Sequence, residues 1–220
     1  MDNALNVILV VVISYLLGSM PTAYLIGRLK NINIFEVGSG NMGATNVIRA
    51  VGLGWGLSVW LFDSTKGILA IIIARQIMSD SKAAATTIAA IVAIIGHNWS
   101  LMAALLTATV RNGRLVLIVR GGKGAATAFG TLLMVAPAQV IVVMTMVFAL
   151  VVALTRYVSL GVLLMFGVAT LWIVILTTQK QMEHEFLYYS LFVAALILWR
   201  FRENIQRLIE GRERRLGESA

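Results

Sequence analysis

Between Val37 and Gly52 the chain reads VGSGNMGATNVIRAVG, a run crowded with groups that suit a phosphate. Gly38, Gly40 and Gly43 let a backbone approach a ligand closely, and Ser39, Asn41, Thr45 and Asn46 add hydroxyls and amides to the free N–H groups. Arg49, just beyond, has the forked geometry that pairs with phosphate oxygens. A second cluster, Arg120-Gly121-Gly122-Lys123-Gly124-Ala125-Ala126-Thr127, surrounds a lysine with glycines at an expected helix start, offering backbone donors, the positive end of a helix dipole and a point charge. It is not a Walker A loop: Leu117 and Gly124 stand where that motif needs glycine and a hydroxyl residue, which disfavours an ATPase. Each loop alone is also consistent with a helix-capping turn or with Lys123 pairing to lipid phosphate.

Other polar residues sit where apolar ones are expected. Asp63 and Lys66, three positions apart, are helix neighbours inside an apolar block, as a buried ion pair or beside a polar cavity. His97, in Gly-His-Asn-Trp-Ser, suits either a proton shuttle or a hydrogen-bonded structural role. The tail from Arg200 to Glu213 carries Ile205, Leu208 and Ile209 at helical spacing, so it can lie along a membrane surface. Asn204 and Arg207 share one face of that helix and could instead close over a site. The chain has no cysteine, which excludes a thiolate nucleophile, a disulfide and Cys-ligated metal. No metal or cofactor is expected.

The elements that must position these residues are membrane helices. Of 220 residues, 59% are hydrophobic and 13% charged, with a mean hydropathy of +0.88. A water-soluble α/β enzyme, a disordered chain and a porin-type barrel are excluded. Apolar blocks run from Ala4 to Ile26, Leu53 to Met78, Ala83 to Thr109, Gly124 to Thr155, Val158 to Thr178 and Phe186 to Trp199. The fourth is too long for one span and is interrupted by Pro137, so it divides in two. Asp2 and the lack of any basic residue ahead of the first block argue against a cleaved signal peptide. The expectation is an all-α integral membrane protein of seven transmembrane helices, forming one polytopic domain over residues 1–220.

Seven spans place all lysines and arginines on one side except Arg75, Lys82 and Lys180 outside and Lys66 within a block. By the positive-inside rule the N-terminus is then outside and the C-terminus cytoplasmic. The net charge of +8 lies between the blocks and in the tail, pointing to membrane lipid head groups or phosphorylated substrates and not to nucleic acid.

In order along nearly the whole chain, seven segments resemble the PlsY family of bacterial acyl-phosphate-dependent glycerol-3-phosphate acyltransferases. They are Gly18-Ser19-Met20-Pro21 with Tyr24 to Arg28, Gly38 to Asn46, Asp63-Ser64-Thr65-Lys66-Gly67, Gly96-His97-Asn98, Gly121-Gly122-Lys123-Gly124 with Ala126-Thr127, Thr155-Arg156-Tyr157 with Ser159, and Arg202 to Ile205 with Arg207, Leu208 and Gly211. The resemblance implies a multi-pass enzyme of the bacterial inner membrane with its active site facing the cytoplasm. It would transfer a fatty acyl group from acyl-phosphate to the 1-hydroxyl of glycerol 3-phosphate, giving lysophosphatidic acid and phosphate, the first step of phospholipid synthesis. The enzyme that makes the acyl-phosphate is an implied partner.

Carried onto this chain, the catalytic residues are Ser39, Arg49, Lys123 and Asn204. Substrate-binding residues are Gly40, Asn41, Thr45, Asn46, Lys66, His97, Gly121, Gly122, Gly124, Thr127, Ser159, Arg207 and Glu213. Two departures stand out: His97 and Gly121 are 24 positions apart, farther than is usual in the family, and Phe201 stands where the family often has histidine. A secondary transporter for an organophosphate is the competing reading, but there is no inverted repeat. An acyltransferase with His and Asp separated by four residues is excluded, since Met102 and Tyr189 occupy the aspartate places. The charge asymmetry predicts that a single cysteine introduced at Arg215 reacts with impermeant reagents only from the cytoplasmic side; labelling only from outside would contradict the seven-span topology.

Overall fold

Hydrocarbon offers no water to a free backbone N–H or C=O, so long apolar runs must close their hydrogen bonds within helices. The computed structural model describes residues 4–112 and 114–218 and is built mainly of such helices. Asp2 lies outside the described residues, as does the side chain of Arg111. The contacts divide the chain into two compact units, one ending at Thr131 and the other running from Leu132 to Glu218.

The first unit holds α1 (Ala4–Ser19), α2 (Thr22–Leu29), α3 (Ala44–Val51), α4 (Leu53–Ile77), α5 (Lys82–Asn98), α6 (Leu101–Leu106) and the strands β1 (Thr109–Arg111) and β2 (Arg114–Val116). It also holds most of α7 (Ala125–Val135). Helix α1 packs on both α4 and α5, and α3 packs on α4. The α1–α5 crossing is close because its contact residues are small: a Cβ on Gly18 would overlap the backbone of Ala93, and one on Gly96 the carbonyl of Tyr15. Gly67 and Gly130 do the same where α4 meets α7, against Thr127 and Ser64. Ile34, Met42, Val47, Val59 and Ala103 form a buried cluster that anchors the segment joining α2 to α3.

The second unit contains α8 (Ala138–Thr155), α9 (Val158–Thr178), α10 (His184–Arg200) and α11 (Arg202–Ile209). Helix α9 packs against α8, α10 and α11. Met144, Phe166, Ile173, Tyr189 and Ile197 are buried. The break between α7 and α8 falls at Pro137, which lacks the N–H that would continue the helix.

Among the described residues four stretches are long and apolar enough to cross a membrane: Ala4–Leu29, α4, α8 and α9. Helices α5 and α7 are apolar but shorter. Two sequence expectations are corrected. The first block is not one continuous helix, because the chain breaks at Met20 and Pro21. The third block is interrupted after Asn98 before the short α6, and the fold is not purely α, because β1 and β2 pair antiparallel. The physical reason lies in Ser100. Its N–H donates to the Arg120 carbonyl at 3.1 Å, its hydroxyl donates to the Ser19 carbonyl, and the same oxygen caps α6 by accepting from Ala103 N–H at 2.9 Å. Beyond α6, Asn112 takes a positive φ of 52° in an Asn-Gly sequence, the turn chemistry of a tight hairpin.

The α1–α5 crossing predicts that Gly96→Val, which must force the two backbones apart, destabilises the protein by about 1–3 kcal/mol. Gly167→Ala, where an added Cβ meets nothing within 4 Å, is the matched control. Thermal unfolding in detergent should lower the midpoint only for the former.

Candidate functional site

The Gly38 to Asn46 loop is organised by one buried side chain. Asn46 Oδ1 accepts from the Ser39 N–H at 2.9 Å, and its Nδ2 donates to the carbonyls of Ile34, Val37 and Asn41 at 3.2, 3.0 and 3.1 Å. Gly38 and Gly40 take φ of 60° and 64°, which glycine tolerates best. Ser39 is thereby exposed at the loop tip, while Gly40, Asn41, Thr45 and Arg49 are half-buried. Arg49 lies in the last turn of α3.

The second loop is built onto the end of α5. The Gly122 N–H donates to the His97 carbonyl at 3.1 Å. Added Cβ atoms would overlap the His97 imidazole at Gly122, and the carbonyls of His97 and Asn98 at Gly121. Gly124 has φ of 81°, and a Cβ there would lie 2.8 Å from Asn98 Oδ1. Glycine is required at these places by close packing, and the result sets the half-buried Lys123 immediately before the first turn of α7. Thr127, in that first turn, is fully buried.

Beneath this loop lies a buried charge cluster. Lys66 Nζ donates to Asp63 Oδ1 and to the Met20 carbonyl, both at 2.5 Å. Asp63 Oδ1 is 3.9 Å from His97 Nδ1. All three side chains are nearly sealed from solvent, so Asp63 and Lys66 lie in the body of the unit and not at a turn. Among the described residues, both amide atoms of Asn98 and the Thr127 hydroxyl are buried without a hydrogen-bond partner. Asn98 is named from sequence only within the Gly96-His97-Asn98 segment and is given no role there; its place beside His97 was the available signal. The two loops approach one another through Arg120, whose guanidinium lies 5.0 Å above the Phe35 ring.

In the second unit the tail is closed around Glu213. Ser159 Oγ and Asn204 Nδ2 donate to its Oε1 at 2.8 and 2.6 Å, and Arg207 Nε donates to its Oε2 at 2.8 Å. Asn204 and Arg207 do share a face of α11, as their spacing predicts. Arg156, unassigned from sequence, adds a second tie: its Nε donates to the Leu216 carbonyl at 3.0 Å, and the Leu216 N–H returns to its carbonyl at 2.7 Å. Burial alone would raise the Glu213 pKa, but the bonds from Arg207, Asn204 and Ser159 outweigh it and hold the carboxyl below its ordinary range.

Apolar helices with glycine loops and cations at their ends are the fold of an integral membrane protein. The family model described as glycerol-3-phosphate acyltransferase matches residues 8–211, and the chain belongs to that family. It is 37% identical over 210 residues to a glycerol-3-phosphate acyltransferase of Halalkalibacterium halodurans, covering 95% of each chain. To a glycerol-3-phosphate acyltransferase of Thermus thermophilus it is 40% identical over 209 residues, 94% of each. It superimposes on the crystal structure of PlsY (YgiH), an integral membrane glycerol 3-phosphate acyltransferase, in its glycerol 3-phosphate form, with a TM-score of 0.80, 32% identity and 96% of both chains covered. The lysophosphatidic acid form of that enzyme aligns with a TM-score of 0.78 at 31% identity, over 96% of this chain and 95% of that one.

The lowered Glu213 pKa fixes a pH dependence. A carboxyl with a depressed folded-state pKa contributes fully above its ordinary value, about 4.3, and loses that contribution as pH falls through the depressed one. The protection of the Leu216 amide, taken relative to intrinsic exchange at each pH, should therefore stay high through neutral pH and fall only in acid. Glu213→Gln should exchange faster at neutral pH and lose the acid transition.

Proposed function

We propose that the protein transfers a fatty acyl group from acyl-phosphate to the 1-hydroxyl of glycerol 3-phosphate, releasing lysophosphatidic acid and inorganic phosphate. The hydroxyl oxygen attacks the acyl carbonyl carbon, the bond from that carbon to the phosphate oxygen breaks, and the hydroxyl proton leaves with the phosphate. A mixed anhydride is already activated, so the barrier that remains concerns alignment and charge. The phosphate of the donor, with a second pKa near 6, accepts the proton, and no side chain is an obligatory general base. The active site faces the cytoplasm of a bacterial inner membrane, in one polytopic domain of seven spans, and the enzyme that makes acyl-phosphate is its supplier.

The observation that carries this reading is the Lys123 loop: a cation and buried glycines packed onto His97 at the start of α7, in a chain of the acyltransferase family. Lys123 and Arg49 neutralise the two phosphates, with Ser39, Thr45 and the N–H groups of Gly40, Asn41, Gly121, Gly122 and Gly124 as neutral donors. Asn46, whose amide is spent on loop carbonyls, contributes by shaping that loop, and Lys66 and His97 support the other loop from below. Thr127 adds a hydroxyl at the α7 start. Asn204, Arg207, Ser159 and Glu213 form the tail part of the machinery.

The test is an assay of purified protein in detergent, with acyl-phosphate, acyl-carrier protein and acyl-CoA offered in turn. With glycerol 3-phosphate present throughout, lysophosphatidic acid should form with acyl-phosphate as the only effective donor and with no second compartment, which a transporter cannot do. Lys123→Met keeps much of the side-chain length but removes its charge, and should cost roughly 2–4 kcal/mol of binding or transition-state stabilisation. Unchanged kinetics would remove the loop from the mechanism.

A further inference from the structure

The segment between α6 and the Lys123 loop has no part in the proposed chemistry, yet its construction is specific. Strands β1 and β2 pair Thr109 with Val116, Val110 with Leu115 and Arg111 with Arg114. Side chains alternate along a strand, so Val110 and Leu115 occupy one face and the two arginine positions the other. Val110 and Leu115 are 71% and 65% exposed. Leu117, Ile118 and Val119 continue the exposed apolar surface toward Arg120. The bridge from Ser100 to Arg120 pins the base of the hairpin to the end of α5, three residues before Lys123.

Three features are unfavourable in water. A lone two-stranded hairpin is marginal there, a contiguous apolar strip seeks cover, and like-charged residues directly opposite each other repel. An acidic soluble partner would neutralise the arginines but leave the run from Leu117 to Val119 in water. A lipid leaflet meets both demands, with acyl chains under the apolar face and phosphate groups at the arginine face. We propose that the hairpin Thr109–Val116 is an interfacial anchor that seats on anionic phospholipid head groups beside the Lys123 loop. This goes beyond the acyl-transfer reading and does not require it.

The chain has no cysteine, so Leu115→Cys carrying an environment-sensitive fluorophore reports on the hairpin alone. The protein is reconstituted in phosphatidylcholine vesicles with or without phosphatidylglycerol, and quenching by lipids spin-labelled at shallow depth is compared with quenching by aqueous iodide. Lipid quenching is expected to prevail when phosphatidylglycerol is present. Each arginine should shift the docked-to-undocked ratio about fivefold, so Arg111→Gln with Arg114→Gln should abolish the dependence on phosphatidylglycerol. Iodide access that is equal and dominant in both vesicles would overturn the proposal. Lipid quenching that ignores phosphatidylglycerol would overturn the anionic head-group part. Retained thermal stability of the double variant, whose substitutions flank the hairpin turn, confirms that the comparison is between folded proteins.

Discussion

The Asp63–Lys66 pair is the constraint on which the first unit depends. Two charges placed in an apolar helix are tolerable only if each is matched, and removing one partner of such a pair costs about 3–5 kcal/mol because the other is stranded. Here the match is made by structure from three other places. Lys66 donates to the carbonyl of Met20, which also accepts from the Thr22 N–H at 3.1 Å, so the chain break before Pro21 supplies a partner for the buried ammonium. Asp63 faces His97 as well as Lys66, and the carbonyl of His97 receives Gly122 of the lysine loop. Charge compensation in α4 thus holds the end of α1, the end of α5 and the start of α7 in register.

Close approach is the second requirement, and it explains where glycine stands. The α1–α5 crossing and the α4–α7 contact need backbones within reach of each other, and any side chain at Gly18, Gly96 or Gly130 would meet carbonyl groups. Without strong hydrophobic drive between helices in lipid, such contacts are a principal source of association. They also bring Ser19 against Ser100, whose backbone and side chain fix the point at which the chain leaves α5 and to which it returns at Arg120.

Much of this was legible in the sequence. The composition required membrane helices, Pro137 marked the α7–α8 break, and the spacing of Asn204 and Arg207 put them on one face of α11. The Pro21 break was less legible, because a proline in an apolar run is as compatible with a kinked span as with a helix end. The hairpin was missed for a related reason. Three-residue strands in an apolar stretch have too few alternations to declare a period, and only the Asn112-Gly113 pair signalled a turn. Glu213 was reached through the family resemblance alone, since nothing local predicts its partners on α9 and α11; only the tertiary fold brings Ser159 and Arg207 to it.

The polar residues of the first unit divide by how their hydrogen-bonding capacity is used. Asn46 and Ser100 spend theirs on backbone groups of neighbouring segments, which makes them determinants of loop shape. Ser39 has its N–H fixed by Asn46 while its side chain remains exposed, a donor held in place by a neighbour that cannot itself leave. Asn98 and Thr127 stand at the other extreme, buried beside the lysine loop with polar atoms that find no hydrogen-bond partner among the described residues. A buried amide without a partner costs about 1–3 kcal/mol, a cost that selection removes easily by an apolar substitution unless the group serves a ligand or water. Asn98 lies against Gly124, next to Lys123, so at the α5–α7 junction this demand for a polar partner falls beside the lysine loop.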